Sequence, residues 1–243
     1  MSLKILAING SPRGQSSNTQ TMLTSFLKGA ASKGAETEIV LLAEKTILPC
    51  KGCFACWIKT PGECIQQDDM REILSKIWGC DLLIFASPLY VDCVSGQMKV
   101  FMDRMLPGIL PTFIEIDGVS RHPLRFESFP KIGVICNSGF PQLEHFQVVH
   151  HLFERVALNM HTQVIMEIYR AGGEILRAKS LLVKPLVRKY KKLLEKAGKE
   201  VVERGELSQE LKEQLEKPIV PPDTYIKNAN TYWRKQLAKL ERK

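Results

Sequence analysis

Short apolar runs alternate with helix-like stretches five times along the first two thirds of this chain, and that alternation admits few folds. The runs 3–8, 37–42, 81–87, 131–137 and 163–169 have the length and composition of strands. The stretches 19–33, 70–78, 96–105 and 143–158 carry helical periodicity between them. The run Asp81–Ser87 (DLLIFAS) is continuously apolar, as a central parallel strand covered on both faces requires. The pattern predicts a doubly wound, three-layer α/β/α sandwich around a parallel sheet. Ligands of such sheets bind beyond the carboxyl ends of the strands. Three segments lie at those ends, 9–19, 87–95 and 137–141, and they are expected to converge.

The first of them reads NGSPRGQSSNT from Asn9 to Thr19. A strand that stops at a Gly/Ser/Asn turn and restarts as a helix presents free backbone N–H groups and a positive dipole end. Ser11, Ser16, Ser17, Asn18 and Thr19 add short donors, Arg13 adds a cation, and Pro12 stiffens the turn. The stretch lacks the Gly-Lys-Ser/Thr of a triphosphate loop and the G-x-G-x-x-G of a dinucleotide fold. It suits a monophosphate, although an ordinary capped strand–helix turn would use some of the same residues. In the second segment Ser-Pro fixes a turn and Tyr90 supplies a ring. In the third, Asn137-Ser138-Gly139-Phe140 lets backbone N–H groups approach a flat ligand.

Four of the seven cysteines fall on one short stretch, Cys50, Cys53, Cys56 and Cys64, in the pattern C-x2-C-x2-C-x7-C. Two-residue spacers turn successive sulfurs inward, so these four are the candidate metal ligands. A 4Fe-4S cluster, free or redox-active thiols, and zinc all remain open. Cys80, Cys93 and Cys136 read as small buried hydrophobes. His145, His150, His151 and His161 show no ligand spacing with carboxylates, and adjacent His150 and His151 should face apart on a helix. Asp103-Arg104 reads as a helix-end ion pair.

Taken together, G-S-P-R…S-N-T, S-P-x-Y…S-G-Q-M-K-x-F-x-D-R and N-S-G resemble the NADPH-dependent FMN reductase family of flavodoxin-like proteins. Gly10–Thr19, Ser87–Arg104 and Asn137–Gly139 carry the resemblance, which covers about residues 3–170. It implies a five-stranded sheet of order 2-1-3-4-5, FMN at the strand ends, and a homodimer or homotetramer. By position it implies that Ser11, Arg13, Ser17, Asn18 and Thr19 hold the phosphate. Pro88, Leu89 and Tyr90 would then line the flavin ring, with Asn137, Ser138 and Gly139 at its edge. Val91 and Asp92 stand where the family often carries an aromatic residue. The cysteine pattern resembles that of iron–sulfur flavoproteins, a branch of the same family. The implied activity is an FMN-dependent oxidoreductase taking electrons from NAD(P)H to a quinone, a flavin or a similar acceptor. The alternative is an electron-transfer module serving a redox protein.

The remaining organisation follows from composition. Residues 1–172 are expected to form the FMN-binding domain, with a cysteine-rich loop at 50–64 and an inserted loop at 107–130 that carries four prolines. Residues 173–243 are expected as a helical extension that packs on the domain or on a partner subunit. In it, one helical pattern runs to about Glu216 with a break or new first turn at Pro185, and a final helix covers 224–243. The net charge of +8 gathers there among intermingled Lys and Glu, a solvated helix face rather than a nucleic-acid groove. No apolar stretch reaches the roughly 20 residues of a membrane span. The chain starts directly on a strand, so the expectation is a cytoplasmic protein without membrane or nucleic-acid partners.

Overall fold

The computed structural model describes residues 2–178 and 180–241. In chain order the elements are β1 (Lys4–Asn9), α1 (Asn18–Ala31), β2 (Glu36–Leu41), α2 (Ala55–Ile58), α3 (Met70–Trp78), β3 (Leu82–Tyr90), β4 (Cys93–Val94) and α4 (Gly96–Asp103). They continue with β5 (Ile114–Ile116), β6 (Val119–Arg121), β7 (Lys131–Asn137), α5 (Gln147–Asn159), β8 (Val164–Arg170), α6 (Lys184–Arg204), α7 (Gln209–Glu216) and α8 (Pro222–Leu240). The main sheet runs β2-β1-β3-β7-β8, with every neighbouring pair parallel. Leaving out the short β4–β6, this is the expected 2-1-3-4-5 order.

Alternation along the strands splits the core into two layers. On one face Leu6, Ile8, Leu83, Phe85, Ile132 and Val134 meet α3, α4 and α5. On the other, Ile5, Ala7, Leu82, Ile84, Met166 and Ile168 meet α1, α6 and α7. The second layer depends on the chain beyond residue 172. Val187, Tyr190, Leu194, Ala197 and Val201 recur at helical spacing along α6 and bury against α1 and the sheet. The crossing of α1 and α6 is a backbone contact. A Cβ added to Gly198 would lie 2.0 Å from the Phe26 carbonyl oxygen, and one added to Gly29 would lie 1.9 Å from that of Glu195.

At the end of β8 the fully buried Arg170 closes this layer. Its guanidinium donates to the carbonyls of Leu215, Glu216 and Lys217 and lies 4.8 Å from the centre of the Tyr190 ring. A cation at the carboxyl end of α7 meets orphan carbonyls and the negative dipole end together.

Three expectations change. The single helical pattern to Glu216 is broken: Gly205, at φ +80, ends α6, and the Ser208 hydroxyl accepts from Leu211 N–H to start α7. Pro185 does mark a first turn. The inserted loop 107–130 contains the β5–β6 hairpin, turned at Asp117-Gly118 with φ +54 and +72. The final helix starts at Pro222 and buries no residue; Tyr225 leans on Gly172 and donates to the Gly139 carbonyl, while Tyr232 and Trp233 stay exposed. The expected last two residues of that helix lie outside the described residues. Among the described residues, no helix is long and apolar enough to cross a membrane.

An exposed helix Gly→Ala ordinarily stabilises by up to about 1 kcal/mol. Gly198→Ala should do the reverse, because its Cβ meets backbone. We expect a loss of about 3 kcal/mol, read as a fall in the urea midpoint at unchanged slope.

Candidate functional site

The three strand-end segments do meet. Ser11, Arg13, Ser17, Asn18, Thr19, Pro88, Leu89, Tyr90, Asn137 and Gly139 line one concavity of about 60 Å³, together with Glu174. Ser138 is the exception. Its hydroxyl accepts from Phe140 N–H and its carbonyl accepts from Gly173 N–H, so both groups close the turn after β7 instead.

The loop after β1 is built by short polar side chains reaching back to backbone. Asn9 Oδ1 accepts from Ser11 N–H at 2.8 Å, and Gly14 N–H donates to Ser11 O at 3.0 Å. Ser17 caps α1: its hydroxyl accepts from Gln20 N–H at 2.9 Å and donates to Gly14 O at 2.7 Å. That hydroxyl is therefore committed to the fold. Thr21 N–H begins the helical ladder at Ser17 O. The first-turn amides of Asn18 and Thr19 remain without backbone or side-chain acceptors among the described residues. The Asn18 carboxamide oxygen is also buried and unpaired among them. Thr19 Oγ1 accepts from Asn137 Nδ2 at 2.8 Å, which ties the third segment to the first. An anionic group with several acceptor oxygens fits the two unclaimed amides of Asn18 and Thr19 at this helix N-terminus.

The one charged neighbour that sequence reasoning missed is Glu174, in the turn after β8. Its Oε1 lies 3.1 Å from Arg13 Nη1, so the loop's cation is held at the rim, half exposed. Nothing local in the sequence marks it; only the packing of the turn after β8 against α1 brings it there. Tyr90 is 44% exposed at the mouth, a platform rather than a core residue. Beyond it Val91 and Asp92 both take positive φ, +48 and +56, and turn the chain into β4. A β-branched residue in that region is strained. His145 Nδ1 lies 3.7 Å from Asp92, and the His145 ring stacks on Phe140 at 4.1 Å, linking the second and third segments.

Beneath the site, Ser95 couples the loops. Its hydroxyl donates to the Gly10 carbonyl at 2.5 Å and accepts from Met98 N–H to cap α4. Gly10 has no alternative, since a Cβ there would lie 2.9 Å from Met98. At the far end of α4, Arg104 does not pair with Asp103, which binds Lys99 instead. Arg104 holds Asp68 at 2.6 and 3.0 Å, with both side chains 1% exposed, and donates to Leu48 O at 2.6 Å. Asp68 also accepts from Leu48 and Met70 N–H. Burial alone would raise the Asp68 carboxyl, but these hydrogen bonds hold it below the ordinary carboxylate range.

This pair closes the cysteine loop at its base. Burial, then neighbouring Cys64, raises the Cys56 thiol above its ordinary value, and Cys50 and Cys53 add to it, so the four sulfurs share one neighbourhood. Gly52 N–H donates to Cys50 Sγ at 3.5 Å, and Cys64 lies beside the Arg104 guanidinium. No three of the sulfurs lie within 4.8 Å of one another among the described residues. Cys136 is buried, while Cys80 and Cys93 are partly exposed.

Comparison with known proteins follows the same lines. The family model described as NADPH-dependent FMN reductase matches residues 3–175. An iron-sulfur flavoprotein of Methanocaldococcus jannaschii is 42% identical over 105 residues, 43% of this chain and 53% of that protein. The match thus spans about half the length of that relative. A Bacillus subtilis protein described as a putative NAD(P)H-dependent FMN-containing oxidoreductase is 28% identical over 72% of this chain and 90% of its own. Among solved structures, an NAD(P)H:quinone oxidoreductase from Methanothermobacter marburgensis superposes with a TM-score of 0.58 at 16% identity, covering 83% of this chain and 98% of that one. That likeness concerns the fold.

Asp68→Asn should strand the Arg104 charge in the interior. We expect a loss of about 3 kcal/mol in denaturant titration, with faster modification of Cys56 by a thiol reagent; an unchanged midpoint would remove the pair from its anchoring role.

Proposed function

Because this chain belongs to the NADPH-dependent FMN reductase family, we propose that it binds FMN at the strand ends and acts as an FMN-dependent NAD(P)H oxidoreductase. Electrons pass to a quinone, a flavin or a similar small acceptor. The observation that carries this reading is the convergence of three loops on unclaimed donors at the first turn of α1. Ser11, Arg13, Asn18 and Thr19 are assigned to the phosphate, with Ser17 holding the turn in shape. Pro88, Leu89 and Tyr90 are assigned to the ring face, and Asn137 and Gly139 to its edge. Bound FMN supplies hydride acceptance and electron release; the protein contributes position and donors. No acid–base dyad is required of the side chains.

A second reading rests on the cysteine loop. Cys50, Cys53, Cys56 and Cys64 are the residues that would hold a 4Fe-4S cluster, and the relatives described as iron-sulfur flavoproteins support it. Such a cluster supplies one-electron transfer, which suits a module between redox proteins. Gly52 N–H and the Arg104 guanidinium face two of the sulfurs, Cys50 and Cys64.

The two readings separate by assay. Anaerobically purified chain should oxidise NADH or NADPH with a flavin or quinone acceptor; negligible turnover beside rapid reduction by a ferredoxin would transfer the role to electron carriage. Iron and sulfide analysis of the same sample decides the loading of the thiol loop.

Arg13→Ala should weaken FMN binding to the apoprotein about tenfold, as measured by quenching of flavin fluorescence. Unchanged affinity would take the phosphate away from this loop.

A further inference from the structure

The outer side of α5 carries a group that the flavin reading leaves unused. His150, His151 and Glu154 each offer a ligand atom, and these atoms lie within 4.8 Å of one another, the one such group among the described residues. Glu154 follows His151 by three residues and His150 by four, the two spacings that bring helical side chains together. Its Oε2 is 2.9 Å from His151 Nδ1 and its Oε1 is 3.4 Å from His150 Nε2.

His150 is oriented from behind. Its Nδ1 lies 2.9 and 3.0 Å from the two oxygens of Glu167 on β8. A carboxylate only accepts, so Nδ1 carries the proton, and in the neutral ring the lone pair is on Nε2. Nε2 faces a Glu154 oxygen at 3.4 Å, a contact that either a proton or a cation bound to the lone pair satisfies. Glu167 is only 10% exposed and is itself held by the Tyr169 hydroxyl at 2.7 Å and by Lys212 at 3.4 Å. A buried carboxylate on one imidazole nitrogen is the arrangement that fixes the other nitrogen for a metal.

We propose that His150 Nε2, His151 and Glu154 bind a divalent d-block cation of the zinc class, with Glu167 as the residue that positions His150. Two imidazoles and one carboxylate favour zinc, nickel or copper over magnesium and calcium, which prefer oxygen alone. Three protein ligands leave a position for water or an outside ligand. His150, Glu154, Glu167 and Lys212 border a cleft of about 520 Å³ between α5, β8 and α7. The ligands are 40–73% exposed, so the cation exchanges with solvent rather than holding up the fold.

The test is equilibrium dialysis of chelator-treated, reduced protein against zinc, with metal counted per chain. The four thiols are a competing set of zinc ligands, so the measure is a difference between variants. His150→Ala and Glu154→Gln should each bind one zinc fewer than the wild type, while the thiolate absorption of the cobalt-substituted protein stays unchanged. Glu167→Gln should keep the count at saturation and bind 10–100-fold more weakly. In a parallel melting experiment zinc should raise Tm more for the wild type than for His150→Ala. Equal zinc content and equal Tm shifts in wild type and His150→Ala would overturn the site.

Discussion

The contact on which this architecture turns is the crossing of α1 and α6, where two glycines let backbone touch backbone. Elsewhere side chains set the distance between helix and neighbour, and small rearrangements absorb error. Here no side chain intervenes, so α1 has one depth and one angle on the sheet. The same helix presents the unclaimed amides of Asn18 and Thr19 at its other end. A rigid seat at Gly29 thus fixes the position of donors about three helical turns upstream. Arg170 reinforces that seat by locking α7 against the strand beside it.

A second helix does comparable work on the opposite face. α4 is eight residues long, yet its first turn is bonded to Gly10 through Ser95, and the residue just past its end, Arg104, is bonded to the base of the cysteine loop. The two regions assigned redox roles therefore hang from one short rod. The Val91-Asp92 turn just ahead of that rod is the one strained piece of backbone at the mouth, in keeping with strain collecting where a binding surface has to be aimed.

Much of this was legible in the sequence because it rests on local signals. The apolar runs named the five main strands, and the Gly/Ser/Asn loop after β1 named the helix N-terminus that ends in the site. What escaped was set by distance or by competing local signals. Glu174 reaches Arg13 only because the turn after β8 packs against α1, and Arg104 finds Asp68 rather than its neighbour Asp103 because the chain on either side of the cysteine loop, at Leu48 and Asp68, meets at its guanidinium. Asp117-Gly118 and the pair Gly205 and Ser208 did carry turn and cap chemistry, but a proline-rich surround and an unbroken Lys/Glu pattern obscured them. Adjacency sets His150 and His151 apart on the helix, whereas their spacings of four and three residues to Glu154 bring all three together.

The Asp68–Arg104 pair also constrains how this chain can diverge. Both groups are out of reach of water, so losing either one leaves the other charged and unsolvated, a worse state than having neither. An apolar pair of matching volume could be as stable as the ionic one, yet the route to it runs through a poorly folding intermediate whichever residue changes first. Descendants of this sequence should therefore keep both residues or exchange both together, and the cysteine loop, whose flanking residues Leu48 and Met70 are bonded to the pair, inherits fixed ends while its exposed tip around Lys51 and Phe54 stays free to vary.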